Sequence, residues 1–192
     1  FISGCCSKQI IKALARVQQA FDSAMRNNWI TVTTPAGTDI KFRIGERPVT
    51  KQDGDASKRR SQGARNLIDR EIELPAGAIR VAPIEETVEG TIAFPDGRWG
   101  GEAVTGLKMI FKNGKVEEVL ANTGVEAVHR EMGEAGVAGE SFREFALGFN
   151  PLLAIPAEGQ RWIPYYGYGA GVVRLSLGDN TDDARSAGLA DL

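Results

Sequence analysis

The sequence is poor in the side chains that most often bind metals or act as catalytic bases. Among its 192 residues it has one histidine, His129, and two cysteines, Cys5 and Cys6, which are adjacent. Adjacent cysteines rarely close a structural disulfide, and two thiols alone make a poor metal site. A serine triad would depend on His129 alone, and a lone helical histidine is usually a packing or surface residue. We therefore expect no disulfide, no bound metal and no cofactor.

Long apolar runs and a strong net charge are lacking as well. The formal net charge is −2, and no apolar run approaches the length of a membrane span. A chain of this charge has no general attraction for nucleic acids or anionic membranes, so we expect neither as a partner. The start of the chain lacks the basic flank of a secretory signal, and its cysteines are best explained as free thiols. These features predict a cytoplasmic location.

The composition is that of a folded protein, with 42% hydrophobic and 25% charged residues. The order of apolar patterns predicts a single domain over residues 1–192, of class α+β, with a mixed or mostly antiparallel sheet and a few helices. We expect an N-terminal amphipathic helix over 8–27, a mobile loop over 46–65 and a polar tail over 181–192.

Alternation of apolar and polar residues predicts the strands, and turn residues predict how they connect. Asn113-Gly114 is typical of a type I′ hairpin, and Thr123 with Glu126 is typical of a capping box that begins a helix. Residues 66–122 are expected to form β structure throughout, which would place Glu85 and Glu86 on opposite faces of a strand. The expected strands are 29–33, 39–44, 78–83, 90–94, 107–111, 115–120, 144–149 and 172–177.

Four motifs resemble segments of the thermophilic metalloaminopeptidases of the aminopeptidase S and T type. Residues 34–40, TPAGTDI, are similar to that family's TPAGTDL segment, and residues 74–92 are similar to its LPxGEVFxAPxExSxEGTI block. Residues 144–151, EFALGFNP, resemble its EFGIGxNP segment, and residues 175–180, LSLGDN, resemble the end of its HIALGDN segment. The motifs occur in the family's order over residues 29–180. The resemblance implies the family's C-terminal domain, in a truncated form.

The departures from the family concern its active site. The family has a two-metal centre built from carboxylates, histidines and a tyrosine, which suits metals that activate water. Its expected glutamate and histidine fall on Ala78 and Arg174, and Glu144 is the one ligand-like residue that remains. The resemblance therefore implies a domain that lacks most metal ligands. An arginine at such a position would repel a divalent cation, and it could pair with Glu144 or bind a carboxylate.

An aromatic stretch lies between these two positions and is a candidate for ligand recognition. Rigid aromatic side chains give a large contact area at a low entropy cost, which suits peptide binding. Packing in the core or in a dimer interface is an equally good explanation of the same residues. The candidate ligand-binding residues are Glu144, Asn150, Trp162, Tyr165, Tyr166, Tyr168, Arg174 and Asp179.

Three functions are compatible with these features. The first is a peptide-binding pseudoenzyme without catalytic residues, which resembles hydrolase-like accessory proteins that bind a ribosomally made precursor peptide in crocagin-type biosynthesis of natural products. The second is a metal-dependent, aminopeptidase-like hydrolase whose ligands are completed by a partner or by a missing segment. The third is a structural subunit that forms a homodimer, or a heterodimer with a paralogue. Metal content separates the second function from the others, and peptide titration separates the first from the third.

Overall fold

The computed structural model describes residues 8–64, 70, 72, 74–153 and 168–179. It confirms the expected α+β class, because within these residues three α-helices accompany strands whose defined registers are all antiparallel. The helices are α1 (Lys8–Ala20), α2 (Lys58–Gly63) and α3 (Val125–Ala135). The strands are β1 (Ile30–Thr33), β2 (Asp39–Phe42), β3 (Thr50–Gln52), β4 (Ala78–Val81), β5 (Glu89–Ala93), β6 (Gly97–Trp99), β7 (Glu102–Val104), β8 (Lys108–Lys112), β9 (Lys115–Leu120), β10 (Phe142–Gly148) and β11 (Val173–Leu177).

The chain divides into two compact units. The first unit comprises Phe1–Asp22, Val49–Val81 and Phe145–Arg174. In it, α1 packs against β4, and the rings of Phe21 and Phe145 lie 6.2 Å apart in its core. A four-stranded sheet has the strand order β11-β10-β4-β3, and both β10 and β11 continue from one unit into the other.

The second unit comprises Ser23–Pro48, Ala82–Glu144 and Leu175–Leu192. Its five-stranded sheet has the order β1-β2-β5-β8-β9, and α3 contacts β9 and the separate hairpin β6-β7. Three buried rings form the centre of its core. Phe142 lies 5.9 Å from Phe42 and 5.8 Å from Phe111, and the second contact is edge to face, the geometry that aromatic quadrupoles favour.

The hairpin expected at Asn113-Gly114 is confirmed, and the expected strands near 29–33 and 39–44 form a second hairpin. β1 pairs with β2 across the turn at residues 34–38, and β8 pairs with β9 across Asn113 and Gly114. Both turn residues have positive φ angles, 50° at Asn113 and 75° at Gly114, as a type I′ turn requires. A Cβ at Gly114 would also lie 2.4 Å from the carbonyl oxygen of Glu85, so only glycine fits. Glycine at position 114 is therefore required both by the local turn and by the tertiary packing against Glu85.

The expectation of a loop over 46–65 was wrong in part, because this segment contains both β3 and α2. β3 is stabilised by pairing with β4, a distant partner that its own polar sequence does not reveal. The Ser57 hydroxyl accepts from the backbone N–H of Arg60 and caps α2. The Ser57 backbone N–H and then its hydroxyl lower the pKa of the Asp55 carboxyl, so Asp55 is ionised beside the start of this helix.

Three smaller expectations changed. The N-terminal helix is α-helical to Ala20 and continues as a π-helix over Phe21–Met25. The prediction of a capping box at Thr123 was wrong. The Thr123 hydroxyl lies 2.8 Å from the Thr105 hydroxyl. The N-cap position of α3 is occupied by Gly124, which has a φ angle of 77°. Glu85 and Glu86 lie in a 3-10 turn over Glu85–Thr87, not in a strand.

The polar tail lies outside the described residues, as do both cysteines. None of the helices described is long and apolar enough to cross a membrane.

Candidate functional site

An apolar groove of about 440 Å³ lies within the second unit. Its lining includes the end of α3, the 3-10 turn Gly136–Glu140 that follows it and the end of β11. The rings of Phe94 and Trp99 lie 6.0 Å apart, edge to face, and contribute to the lining. The lining residues are Ile92, Phe94, Trp99, Glu131, Met132, Ala135, Ala138, Gly139, Leu175, Ser176, Leu177 and Gly178.

Small residues after α3 keep the groove open. Met132 and Ala135 are three positions apart, so they share one helical face, and the larger of the two is buried. The chain then turns back closely over the helix: a Cβ at Gly139 would lie 2.4 Å from the carbonyl oxygen of Met132. Only glycine allows this approach. The short side chains of Ala135 and Ala138 leave the space that larger residues would fill.

A smaller, more polar chamber of about 280 Å³ adjoins the groove in the same unit. The two cavities share Ala138 and Gly178 in their linings. The chamber is lined by Glu85, Lys115, Val137, Ala138, Ser141, Gly178 and Asp179. A ligand that lies across Ala138 and Gly178 would therefore meet an apolar surface on one side and charged groups on the other.

Hydrogen bonds fix the polar groups of the chamber. The Lys115 Nζ lies 2.9 Å from Glu85 Oε1 and donates to Ser141 Oγ at 2.5 Å. Ser141 Oγ in turn donates to the carbonyl oxygen of Val137 at 2.8 Å. Lys115 therefore contacts both a carboxylate and a hydroxyl group, and the Ser141 hydroxyl is also held by a backbone carbonyl. A ligand in the chamber would meet these groups as charged and hydrogen-bonding partners.

The residues expected at the site are distributed over both units. Asp179 is exposed and lines the polar chamber. Glu144 is 2% exposed on β10 and belongs to the second unit, whereas Arg174 is half-buried on β11 and belongs to the first. The ion pair between them stays a prediction. Three of the aromatic residues, Trp162, Tyr165 and Tyr166, lie outside the described residues.

Asn150 and Tyr168 are buried in the first unit, with exposed fractions of 1% and 4%. The Asn150 amide nitrogen donates to the carbonyl oxygen of Ala76 at 2.8 Å, and its amide oxygen accepts from the backbone N–H of Leu152 at 3.0 Å. The Tyr168 carbonyl oxygen accepts from the Asn150 backbone N–H at 2.8 Å. These bonds join three chain segments and give the Asn150 side chain a structural role.

The residues present do not fit the two-metal centre that the family resemblance implies. Ala78 is 3% exposed on β4, and its methyl group offers no lone pair to a metal. His129 is exposed on α3. Across the described ranges, no three side chains of His, Cys, Asp and Glu form a group that could hold a metal ion. The part of the chain that the structure describes therefore supplies no donor set through which a metal-dependent step can be derived.

Sequence reasoning missed the groove and the polar chamber. Their lining comes from the segments 85–141 and 175–179, and neither segment has an unusual composition by itself. Two signals were present: small residues at Ala135, Ala138 and Gly139 directly after an amphipathic helix, and the LSLGDN motif over 175–180. Neither signal shows by itself that the two segments face each other across a cavity.

Comparisons with known proteins support the fold. No protein-family model matches the sequence, and no curated protein does. Among solved structures, AmpT from Thermus thermophilus is 23% identical with a TM-score of 0.51, and the match covers 72% of this chain and 32% of AmpT. The 2,5-dihydroxypyridine dioxygenase from Pseudomonas putida is 15% identical with a TM-score of 0.68, and the match covers 94% of this chain and 52% of the dioxygenase.

The fold is thus aminopeptidase-like, of a kind that also occurs in a dioxygenase. The chain spans about a third of AmpT and about half of the dioxygenase. At these identities the likeness concerns the fold alone, so the function depends on this chain's own residues.

Proposed function

We propose that this protein binds peptides without catalysing a reaction, on an aminopeptidase-like fold. The apolar groove between α3 and the end of β11 carries the proposal. A groove of about 440 Å³ with a lining that is mainly aliphatic and aromatic suits the side chains of a bound peptide. Phe94 and Trp99 supply rigid rings of the kind that dominate recognition energetics.

The position of β11 supports a peptide in particular. β11 stands at the end of its sheet, and within the described residues no strand pairs with its outer edge. An extended peptide can add to such an edge through main-chain hydrogen bonds and place alternate side chains in neighbouring pockets. Because Leu175 and Leu177 line the groove, the same segment can offer both kinds of contact.

The non-catalytic part of the proposal is supported by the chemistry of the residues. Ala78 and Arg174 stand at the positions where the family that the sequence resembles has metal ligands, and neither side chain is a usual metal ligand. The sequence resemblance further leads us to propose that the protein binds a ribosomally made precursor peptide, as a homodimer or with a paralogue. The free thiols lead us to propose a cytoplasmic location.

Peptide selection tests the binding function directly. Random dodecapeptides displayed on phage would be selected on the wild-type protein, and enriched sequences would be synthesised and titrated by calorimetry. We expect binding that the Ala135→Gln variant weakens by about tenfold, because a long polar side chain would enter the apolar groove. Ala103→Gln is the matched control, since Ala103 is exposed in the same unit and does not line the groove. Failure to enrich any peptide, or equal binding by both variants, would contradict the proposal.

Metal content tests the claim that the protein is not catalytic. The protein would be incubated with Zn²⁺, Co²⁺ and Fe²⁺, desalted and measured by elemental analysis, and it would be assayed for aminopeptidase activity. We expect trace metal and no hydrolysis. A stoichiometric metal with peptide hydrolysis would instead support the metal-dependent hydrolase. A protein that binds neither metal nor peptide, yet forms a stable dimer, would be a structural subunit.

A further inference from the structure

We propose that Glu131 is a positioning residue of the apolar groove. Its carboxylate holds the turn of the β6-β7 hairpin against α3 and thereby fixes the Trp99 ring in the groove lining. This inference rests on the proposed peptide-binding function and adds the residue that sets the shape of the binding surface.

The β6-β7 hairpin is a small element that is anchored at its base. β6 and β7 form a separate two-stranded sheet with three residues in each strand, and a hairpin of this size is marginally stable by itself. At the base, the Phe94 N–H donates to the Leu107 carbonyl oxygen at 2.9 Å. The Gly106 N–H donates to Asp96 Oδ1, also at 2.9 Å. These bonds fix the base of the hairpin, whereas its tip meets α3.

Strand pairing places the Trp99 ring on the buried face of the hairpin. Gly97 pairs with Val104, and Trp99 lies two residues after Gly97, so Trp99 shares a face with Val104. Val104 is 1% exposed, whereas Arg98 is exposed on the opposite face. The Trp99 ring meets Phe94 edge to face in the groove lining. The position of the hairpin tip therefore determines where this ring lies.

Two polar contacts hold the tip against α3. The backbone N–H of Gly100, the residue directly after Trp99, donates to Glu131 Oε2 at 2.8 Å. The Arg130 guanidinium donates to the Glu102 carboxylate, but these side chains are 51% and 57% exposed, so solvent screens the pair. The Glu131 bond is charge-assisted and its donor belongs to the backbone of the turn. Of the two contacts, that of Glu131 acts more directly on Trp99.

A direct contact between Glu131 and the peptide is the alternative explanation, because Glu131 itself lines the groove. The two roles differ in what they require. A residue that acts by positioning the Trp99 ring affects binding only while that ring is present. A residue that touches the peptide affects binding with or without the ring.

The protein without a ligand gives the first test. NMR of the ¹⁵N-labelled protein would measure the exchange of the Gly100 amide with water and the indole resonances of Trp99 and Trp29. We expect Glu131→Ala to speed the Gly100 exchange by about tenfold and to shift the Trp99 indole, while the exposed Trp29 indole is unchanged. Glu131→Gln keeps an acceptor oxygen and should restore part of the protection. Glu134→Ala makes the same change three residues along α3, outside the groove lining, and should alter none of these signals.

Peptide affinity gives the second test. The dodecapeptides selected on the wild-type protein would be titrated by calorimetry. We expect Glu131→Ala to weaken binding by about fivefold and Glu131→Gln by about twofold. Trp99→Leu removes the ring and keeps an apolar side chain. In that background, Glu131→Ala should weaken binding by less than about 1.5-fold, because the two changes remove the same interaction.

The outcomes separate this inference from the function on which it rests. If Glu131→Ala leaves the Gly100 exchange and the Trp99 indole unchanged, Glu131 does not position the ring, even where peptides bind. If the fivefold loss persists in the Trp99→Leu background, Glu131 contacts the peptide directly and the positioning role is wrong. If no peptide is enriched, the proposed function fails and the role of Glu131 in binding fails with it, whatever the Gly100 exchange shows.

Discussion

The polar cluster around Asn150 in the first unit and the one around Ser141 in the second unit have similar hydrogen bonds but different roles. In the first unit, Asn150 is 1% exposed and its amide bonds to the backbone at Ala76 and Leu152. In the second unit, Ser141 is 4% exposed, yet its partner Lys115 has a side chain that is 50% exposed, and both line a cavity. A buried polar group whose partners are backbone atoms of distant segments holds the fold together. A polar group that connects the interior to a half-exposed charge can also meet a ligand.

The largest expected loss of stability is at Asn150, and its absence would contradict the distinction between the two clusters. Asn150→Ala leaves the Ala76 carbonyl and the Leu152 N–H of the first unit without their partner, which should lower the free energy of unfolding by about 3 kcal/mol. Urea denaturation followed by circular dichroism measures this loss. Asn122→Ala, at an exposed position, is the control and should cost less than about 0.5 kcal/mol. Equal losses for both variants would mean that the Asn150 cluster does not hold the first unit together.

Gly77→Ala tests the same cluster from its other side. Gly77 has a φ angle of 124°, and a Cβ there would lie 2.6 Å from the Cβ of Asn150. The strained backbone and the collision should together cost about 2–3 kcal/mol in the same urea assay. Gly133→Ala is the matched control, because Gly133 lies in α3 with open space around its Cα. This variant should be slightly more stable than the wild-type protein. A Gly77→Ala variant as stable as Gly133→Ala would contradict the close packing of Asn150.

Ser141→Ala should have a smaller effect on stability than either change in the first unit. The substitution removes the hydroxyl that donates to the Val137 carbonyl and accepts from Lys115. Because Val137 is 75% exposed and Lys115 keeps its contact with Glu85, the loss should be about 1 kcal/mol. The measurement is again urea denaturation, with Ser61→Ala on the exposed face of α2 as the control. A loss as large as that of Asn150→Ala would erase the distinction between the two clusters.

The same contrast explains what the sequence could predict of the fold. The β8-β9 hairpin follows from Asn113-Gly114, because the turn needs two positive φ angles and those residue types adopt them. β3 could not be predicted in the same way. Its residue Gln52 is polar, and it is buried because it pairs with Ala78 of β4, about 26 residues further along the chain. Local chemistry predicts structure where the interaction is local, and it fails where a distant partner decides.

The candidate site was harder to predict than the fold for the same reason. Asp179, which motif position indicated as a candidate, lines the polar chamber, but the motifs gave no sign of Lys115 or Ser141. Asn150 also lies in a motif that resembles the family. Its side chain, however, is hydrogen-bonded to backbone atoms of Ala76 and Leu152. A motif shared with a family preserves the fold at least as often as it preserves a binding residue.

The smallest loss of stability is expected for Glu85→Gln, and this variant tests the distinction between the two clusters most closely. It should change peptide binding while it leaves the free energy of unfolding nearly unchanged. Glu85→Gln removes the charge that offsets Lys115, in a pair whose side chains are 27% and 50% exposed. Solvent screens such a pair, so the free energy of unfolding should fall by about 0.5 kcal/mol or less. The chamber would lose one of its charges, and the Lys115 ammonium would lose its carboxylate partner. The affinity for the dodecapeptides selected on the wild-type protein should therefore change by at least about threefold. Glu118→Gln, on the exposed surface of β9 and outside both cavity linings, should change neither quantity. A large loss of stability with an unchanged peptide affinity would place Glu85 and Lys115 with Asn150, as a cluster that serves only the fold.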